Sequence, residues 1–166
     1  MRWCRLYILY FLALSVYAGD CDPVINFNFD NILVNEIKFV EEDNGLPSFC
    51  KIKGVINPNI GFEARLPKEN WNGKFFQVGC GGFCGLIEAD KNTQSNGINH
   101  ALKKGYAAIT TNGGHEGMHL GDAQWAKNNE QAREVYAYSV VKFTFEAGHK
   151  LIKNFYNLKP KFSYFS

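Results

Sequence analysis

The run Lys74-Phe75-Phe76-Gln77-Val78 has the length and apolar character of a strand, and it breaks into Gly79-Cys80-Gly81-Gly82-Phe83-Cys84-Gly85, where four of seven residues are glycine. Glycine carries no Cβ, so such a loop leaves bare backbone N–H groups at a strand's C-terminal end. Loops of that kind bind anions.

The chain before this loop reads as antiparallel strands. Ile32 to Val40 is a strand candidate, and an acidic, turn-rich stretch follows over 41–47. Phe49 to Ile56 alternates as a half-buried strand does, Asn57-Pro58-Asn59 turns, and Phe62, Ala64 and Leu66 alternate again before Pro67. After the loop the pattern changes. A short helix is predicted around 97–104, then a buried strand over 105–111 that ends at Asn112-Gly113-Gly114. From 129 to 157, Ala132, Val135, Tyr136, Val140, Phe143, Ala147, Leu151, Ile152 and Phe155 fall three or four apart, which predicts one long helix with one buried face. Asn157 and Pro160 stop it, and Phe162 begins another strand. Antiparallel strands followed by β-α-β-α-β describe an α/β protein with a mixed sheet. A parallel strand as the last element, with no helix after it, predicts a truncated domain.

Arg2 and Arg5, the apolar run 6–16 and Val16-Tyr17-Ala18 have the three-part layout of a signal peptide, expected to be cleaved after Ala18. The run is short of the roughly 20 apolar residues of a membrane-spanning helix. The expected organisation is a leader over 1–18 and one incomplete domain over 19–166. Losing Arg2 and Arg5 takes the 18 basic residues to 16, against 16 acidic ones, so the net charge of +2 falls to zero. That balance points away from nucleic acid and from anionic membranes as partners. The secreted chain keeps Cys21, Cys50, Cys80 and Cys84, an even number in an oxidising compartment, which predicts two disulfides in one of three connectivities. Cys21 would tether an otherwise loose, Asn-rich start.

Two patterns invite metal readings. His115-Glu116-Gly117-Met118-His119 matches H-E-x-x-H, in which two histidines four apart on a helix hold zinc and the glutamate activates water. Glu134 or Glu146 would supply a third ligand. Against it, Gly113, Gly114, Gly117 and Gly121 make helix propensity poor throughout, so a loop is expected. Cys80 and Cys84, four apart, admit a zinc or redox pair, with a structural disulfide favoured in a secreted chain. His100 and His149 read as solvated helix residues; Trp71, Tyr106 and the long helix's aromatics read as core. The glycine loop lacks the Lys-Ser/Thr of a phosphate loop and the fingerprint of a dinucleotide loop. What remains is the turn after an early strand that an α/β-hydrolase uses for half of its oxyanion hole.

Taken in order, Phe49-Cys50, Leu66-Pro67, Trp71-Asn72-Gly73-Lys74-Phe75, Gly79-Cys80-Gly81-Gly82-Phe83, Gly105-Tyr106-Ala107 and Thr111-Asn112-Gly113-Gly114-His115 resemble the tannase and feruloyl esterase family of secreted serine esterases. Asn154-Phe155-Tyr156, Pro160 and Ser163-Tyr164-Phe165 continue the likeness to the end, and Cys80 stands where the family usually has Asn. The resemblance implies the first part of an α/β-hydrolase fold, with Gly81 and Gly82 as oxyanion-hole residues. It implies a Cys21–Cys50 disulfide, with Cys80 and Cys84 paired together or with cysteines elsewhere, and assigns His115 to a Gly-His loop. In the family the strand matching 162–165 leads into a Gly-Cys-Ser-x-Gly-Gly elbow, so the serine nucleophile, its aspartate and histidine, and a lid with a calcium site are expected beyond Ser166, with no cofactor in this chain. The function implied is hydrolysis of small phenolic or aromatic esters by a Ser-His-Asp mechanism, the present 166 residues being inactive alone. A zinc protease built on His115 and His119, or a secreted binding protein without catalysis, is the alternative.

Overall fold

The computed structural model describes Cys21, residues 29–91 and residues 95–166. The leader and its cleavage site lie outside the described residues. Six strands form one sheet: β1 (Ile32–Val40), β2 (Phe49–Ile56), β3 (Ile60–Pro67), β4 (Lys74–Val78), β5 (Ala107–Thr111) and β6 (Phe162–Phe165), in the order β1-β2-β3-β5-β4-β6. The alternating first half pairs antiparallel through β1, β2, β3 and β5. β4 lies parallel to both β5 and β6. This is the mixed sheet expected from the change of pattern at the glycine loop.

Two crossovers fix the layers. From β4 the chain passes through α1 (Asn99–Leu102) to β5. From β5 it passes through α2 (Glu130–Glu134) and α3 (Val140–Tyr156), over β4, to β6. The two steps run in opposite directions along the sheet, and right-handed crossovers then put their helices on opposite faces. Packing agrees. Phe62, Ala64, Phe75, Ala107 and Ile109 form one core with Ala147, Leu151 and Ile152 of α3, while Val78, Ala108, Ile98 and Ala101 form a second core on the α1 side.

Covering both faces buries residues that alternation alone assigns to solvent. Glu63 and Arg65 lie on the face of β3 opposite Phe62 and Ala64, and both are buried. The Arg65 Nε and Nη2 atoms donate to Glu63 Oε1 at 2.8 and 2.6 Å, Nη2 also pairs with Asp90 Oδ1 at 2.8 Å, and Nη1 donates to Asn99 Oδ1. The guanidinium thus pins the loop before α1 and the start of α1 to the sheet. Burial pushes the Asp90 carboxyl up, and the hydrogen bond and charge of Arg65 outweigh it, holding the pKa below its ordinary value.

The long helix is not continuous. Asn129 caps α2, its side chain accepting from the Ala132 N–H at 3.1 Å, but a π-helical turn over Val135–Ser139 separates α2 from α3. The predicted face survives the extra residue, with Ala132, Val135, Val140, Ala147, Leu151 and Ile152 buried. The aromatics divide: Phe143, Phe155 and Tyr156 pack against the core, whereas Tyr138 and Phe145 are exposed. Asn157 ends α3 at φ +54°, the left-handed cap for which asparagine is suited. Trp71 stacks on Tyr156 at 4.1 Å, and the Tyr156 hydroxyl donates to the Pro67 carbonyl at 2.6 Å. Gly148 is required where α3 crosses β4, because a Cβ there would run into the buried Phe75 ring. His149 is not simply solvated: it is half-buried, with Nε2 2.9 Å from Ser163 Oγ and its ring edge-on to Phe75. Cys21 is joined to Cys50 and Cys80 to Cys84. Among the described residues no helix is long and apolar enough to cross a membrane.

Candidate functional site

In an open α/β sheet the ligand crevice lies at the carboxyl ends of adjacent parallel strands whose connections leave toward opposite faces. Here that point lies between β4 and β5. The connection after Val78 turns to the α1 face and that after Thr111 to the α3 face. Gly79 to Gly85 and Asn112 to Gly114 are the first residues of the two, and they meet directly, the Gly85 N–H donating to the Asn112 carbonyl at 2.8 Å. β6 ends at the same edge: the Gly79 N–H donates to the Ser166 carbonyl at 2.7 Å and the Ser166 N–H to the Gln77 carbonyl at 3.1 Å.

The glycine loop is polarised. Most of its carbonyls are taken: Gly79 O accepts from Asn96 N–H at 2.8 Å, Gly81 O from Cys84 N–H at 3.0 Å, Gly82 O from the Tyr136 hydroxyl at 2.9 Å and Phe83 O from His115 Nε2 at 2.6 Å. The N–H groups of Cys80, Gly81 and Gly82 donate to no acceptor among the described residues. Unpaired backbone N–H groups in succession carry the partial positive charge that attracts anions. Gly82 sits at φ +58°, and a Cβ there would collide with the Leu120 carbonyl, which itself accepts from Phe83 N–H at 2.7 Å. Only glycine fits this place.

Behind the loop stands an aromatic wall. His115 stacks on Trp125 at 3.6 Å, and Tyr136 packs 5.6 Å from His115 and 5.1 Å from Trp125. The bond to the Phe83 carbonyl makes His115 Nε2 the protonated nitrogen of the neutral ring. Burial lowers the His115 pKa, and the Phe83 and Gly113 backbone and the Asp122 charge offset only part of that. Burial, with the charge of Lys159, lowers that of His149 as well. Unfolded histidine takes up its proton near pH 6.5, so below that pH the unfolded chain binds more protons than the folded one. Stability is therefore complete above about pH 6.5 and is lost as pH falls through the lower folded values. Melting temperatures across this range should show the fall, and His115→Gln should make it shallower. A cleft of about 450 Å³ opens beside the wall, lined by Pro58, Asn59, Asn112, Glu116, Trp125 and Asn129 among others, and no residue of the glycine loop lines it.

The H-E-x-x-H segment is a loop. His115 is buried in the wall, and His119 is exposed, its Nδ1 accepting from the Gly121 N–H at 3.1 Å. Asp122 braces the segment by accepting from Met118 and Gln124 N–H groups, which hold its pKa low. The two histidines therefore do not share a helical face, and among the described residues no three His, Cys, Asp or Glu side chains form a group able to hold a metal ion. Glu146 instead faces Lys142 at 4.0 Å. Sequence reasoning placed Gly81 and Gly82 in one loop and His115 in another, and the structure brings these together. It missed Tyr136, read as an ordinary core position, and Leu120. Their separation from the glycine loop in sequence hides both, and only the glycines that admit them left a signal.

Comparison with known proteins bears on the whole arrangement. A family model described as tannase and feruloyl esterase matches residues 46–166. An esterase of Xanthomonas campestris pv. campestris is 35% identical over 126 residues, 74% of this chain and 21% of that protein. Mono(2-hydroxyethyl) terephthalate hydrolase of Piscinibacter sakaiensis is 31% identical over 136 residues, 72% and 22% of the two chains. Feruloyl esterase B of Aspergillus niger is 33% identical over 103 residues, 62% and 18%. The crystal structure of feruloyl esterase B from Aspergillus oryzae superposes with a TM-score of 0.72 at 24% identity, covering 89% of this chain and 32% of that one. The fold shared is that of an α/β-hydrolase. The chain spans about a fifth of the length of the curated relatives it matches.

Proposed function

We propose, since this chain belongs to the tannase and feruloyl esterase family, that residues 19–166 are the N-terminal part of the catalytic domain of a secreted carboxylic ester hydrolase acting on phenolic or similar aromatic esters. Its glycine loop is half of the oxyanion hole. In the full-length protein a serine, deprotonated by a histidine that an aspartate orients, adds to the ester carbonyl. The C=O π electrons move to oxygen, and the tetrahedral intermediate collapses with loss of the alcohol, which takes its proton from the histidine; water then repeats the sequence on the acyl-enzyme. The backbone N–H groups of Gly81 and Gly82, with one from the residue after the serine, hold the oxyanion.

The observation that carries this reading is the run of unpaired N–H groups from Cys80 to Gly82 at the carboxyl edge of β4. The pairing of Gly79 with Ser166 supports it, because polypeptide continuing from β6 starts beside that run. The full-length protein should hydrolyse p-nitrophenyl acetate, an aryl ester, and methyl ferulate, an ester of a phenolic acid, with activity abolished by a serine-directed phosphonate. The 166 residues alone should not, since they span only about a fifth of the esterases they match. Turnover by the 166-residue chain that the phosphonate blocks, or an inert full-length protein, contradicts the proposal. Secretion is tested by the N-terminus of the exported protein, expected at Gly19.

A further inference from the structure

From the way the glycine loop is anchored, we infer that the Cys80–Cys84 disulfide positions the oxyanion-hole N–H groups. Gly79 opens the loop held on both sides, its N–H on the Ser166 carbonyl and its carbonyl on the Asn96 N–H, and the far end is held as well. Phe83, Cys84 and Gly85 are tied down: Phe83 bonds Leu120 and His115, Gly85 bonds Asn112, and Cys84 is buried against Gly113, where a Cβ would stand 2.7 Å from Cys84 Cβ and 2.9 Å from its Sγ. Cys84 is also fixed at φ +63°, a conformation rare for a residue with a side chain. The half that carries the free N–H groups has far less. Cys80 makes no hydrogen bond to the described residues, and Gly81 contributes one, its carbonyl accepting from Cys84 N–H. Beside that Gly81–Cys84 hydrogen bond and the Tyr136 hydroxyl on Gly82, the covalent bridge is what holds Cys80 to the anchored half. It fixes by a bond what side-chain hydrogen bonding would otherwise have to fix, and it does so without using any of the three N–H groups.

Cys80 is partly exposed while Cys84, Cys21 and Cys50 are buried, so one bridge offers a sulfur to reagents and the other does not. A dithiol reductant supplies the two electrons: its thiolate attacks Cys80 Sγ, Cys84 leaves as thiolate and takes up a proton, and the second reductant thiol displaces Cys80 and closes the reductant's own disulfide.

The role of the bridge rests on the proposed esterase reading; its effect on the loop is measured without it. In the 166-residue chain, mild dithiothreitol followed by alkylation and mass spectrometry should label Cys80 and Cys84 before Cys21 and Cys50. The amide at position 84, whose bond to Gly81 spans the bridge, should then exchange at least about tenfold faster while amides of β4 and β5 keep their rates. The Cys80→Ser/Cys84→Ser chain should match the reduced one. An unchanged rate at position 84 in both overturns the inference. In the full-length protein, opening the bridge should lower kcat at least about tenfold and leave KM within about twofold, because the oxyanion exists only after the ground state. An active protein whose kcat ignores the bridge overturns the positioning role. A full-length protein with no ester turnover refutes the esterase reading instead, and the exchange measurement still decides whether the bridge holds the loop.

Discussion

Replacing Gly82 with alanine is expected to lower kcat of the full-length esterase by about 10²–10³, with little change in KM. The cause is local. Gly82 stands at φ +58°, where a side chain is strained, and the added methyl meets the backbone carbonyl of Leu120, not a side chain that can turn away. Leu120 cannot retreat cheaply, because its carbonyl holds the Phe83 N–H at 2.7 Å. The loop must move, and with it the N–H groups of Gly81 and Gly82, which in the proposed mechanism point at the oxyanion rather than at the ground-state carbonyl. Gly81→Ala is the control. Its Cβ would meet the exposed Ser95 side chain at 3.1 Å rather than a backbone carbonyl, and Gly81 is not among the glycines at positive φ, so the loss should be much smaller. Equal losses in the two variants would contradict a steric cause at Gly82.

The second large effect is on stability. Arg65→Met should cost about 3–5 kcal/mol, read as a fall in the urea midpoint with unchanged slope. The substitution leaves Glu63 buried with only Lys53, 3.7 Å away, to balance it. Asp90 loses the same partner but has an exposed side chain, so water takes over there and its share of the cost is small. Glu63 decides the outcome. Replacing both residues, as Glu63→Leu/Arg65→Met, should recover most of the loss, since apolar residues of similar volume often replace a buried ion pair without penalty. A single variant as stable as the parent would show that the pair is solvated in solution.

Where sequence and structure agree, the reason is periodic. β2 and β3 carry a period of two, and β4 and β5 are short apolar runs stopped by glycine, so their positions are written locally. The helical face is legible too, but the π-helical turn over Val135–Ser139 is not, because one extra residue shifts the pattern less than the spacing tolerates. Glu63 and Arg65 look like a solvated face because alternation reports only which residues share a side, and here the chain covers both sides. The glycine loop was legible from composition and position as the turn that follows β4. What turns its carbonyls inward was not: Tyr136 lies 54 residues away and His115 lies 32 away, and neither announces that it will meet the loop.

On the proposed reading, the N–H groups of Gly81 and Gly82 receive the oxyanion of an ester-hydrolysis intermediate. A phosphonate that esterifies the nucleophile of the full-length protein leaves a tetrahedral phosphorus with one oxygen where the oxyanion forms, and a crystal structure of that adduct tests the claim directly. The expected result is that oxygen about 2.7–3.1 Å from the Gly81 or Gly82 nitrogen. An adduct whose oxygen is held by other donors, with the glycine loop turned away, would contradict it.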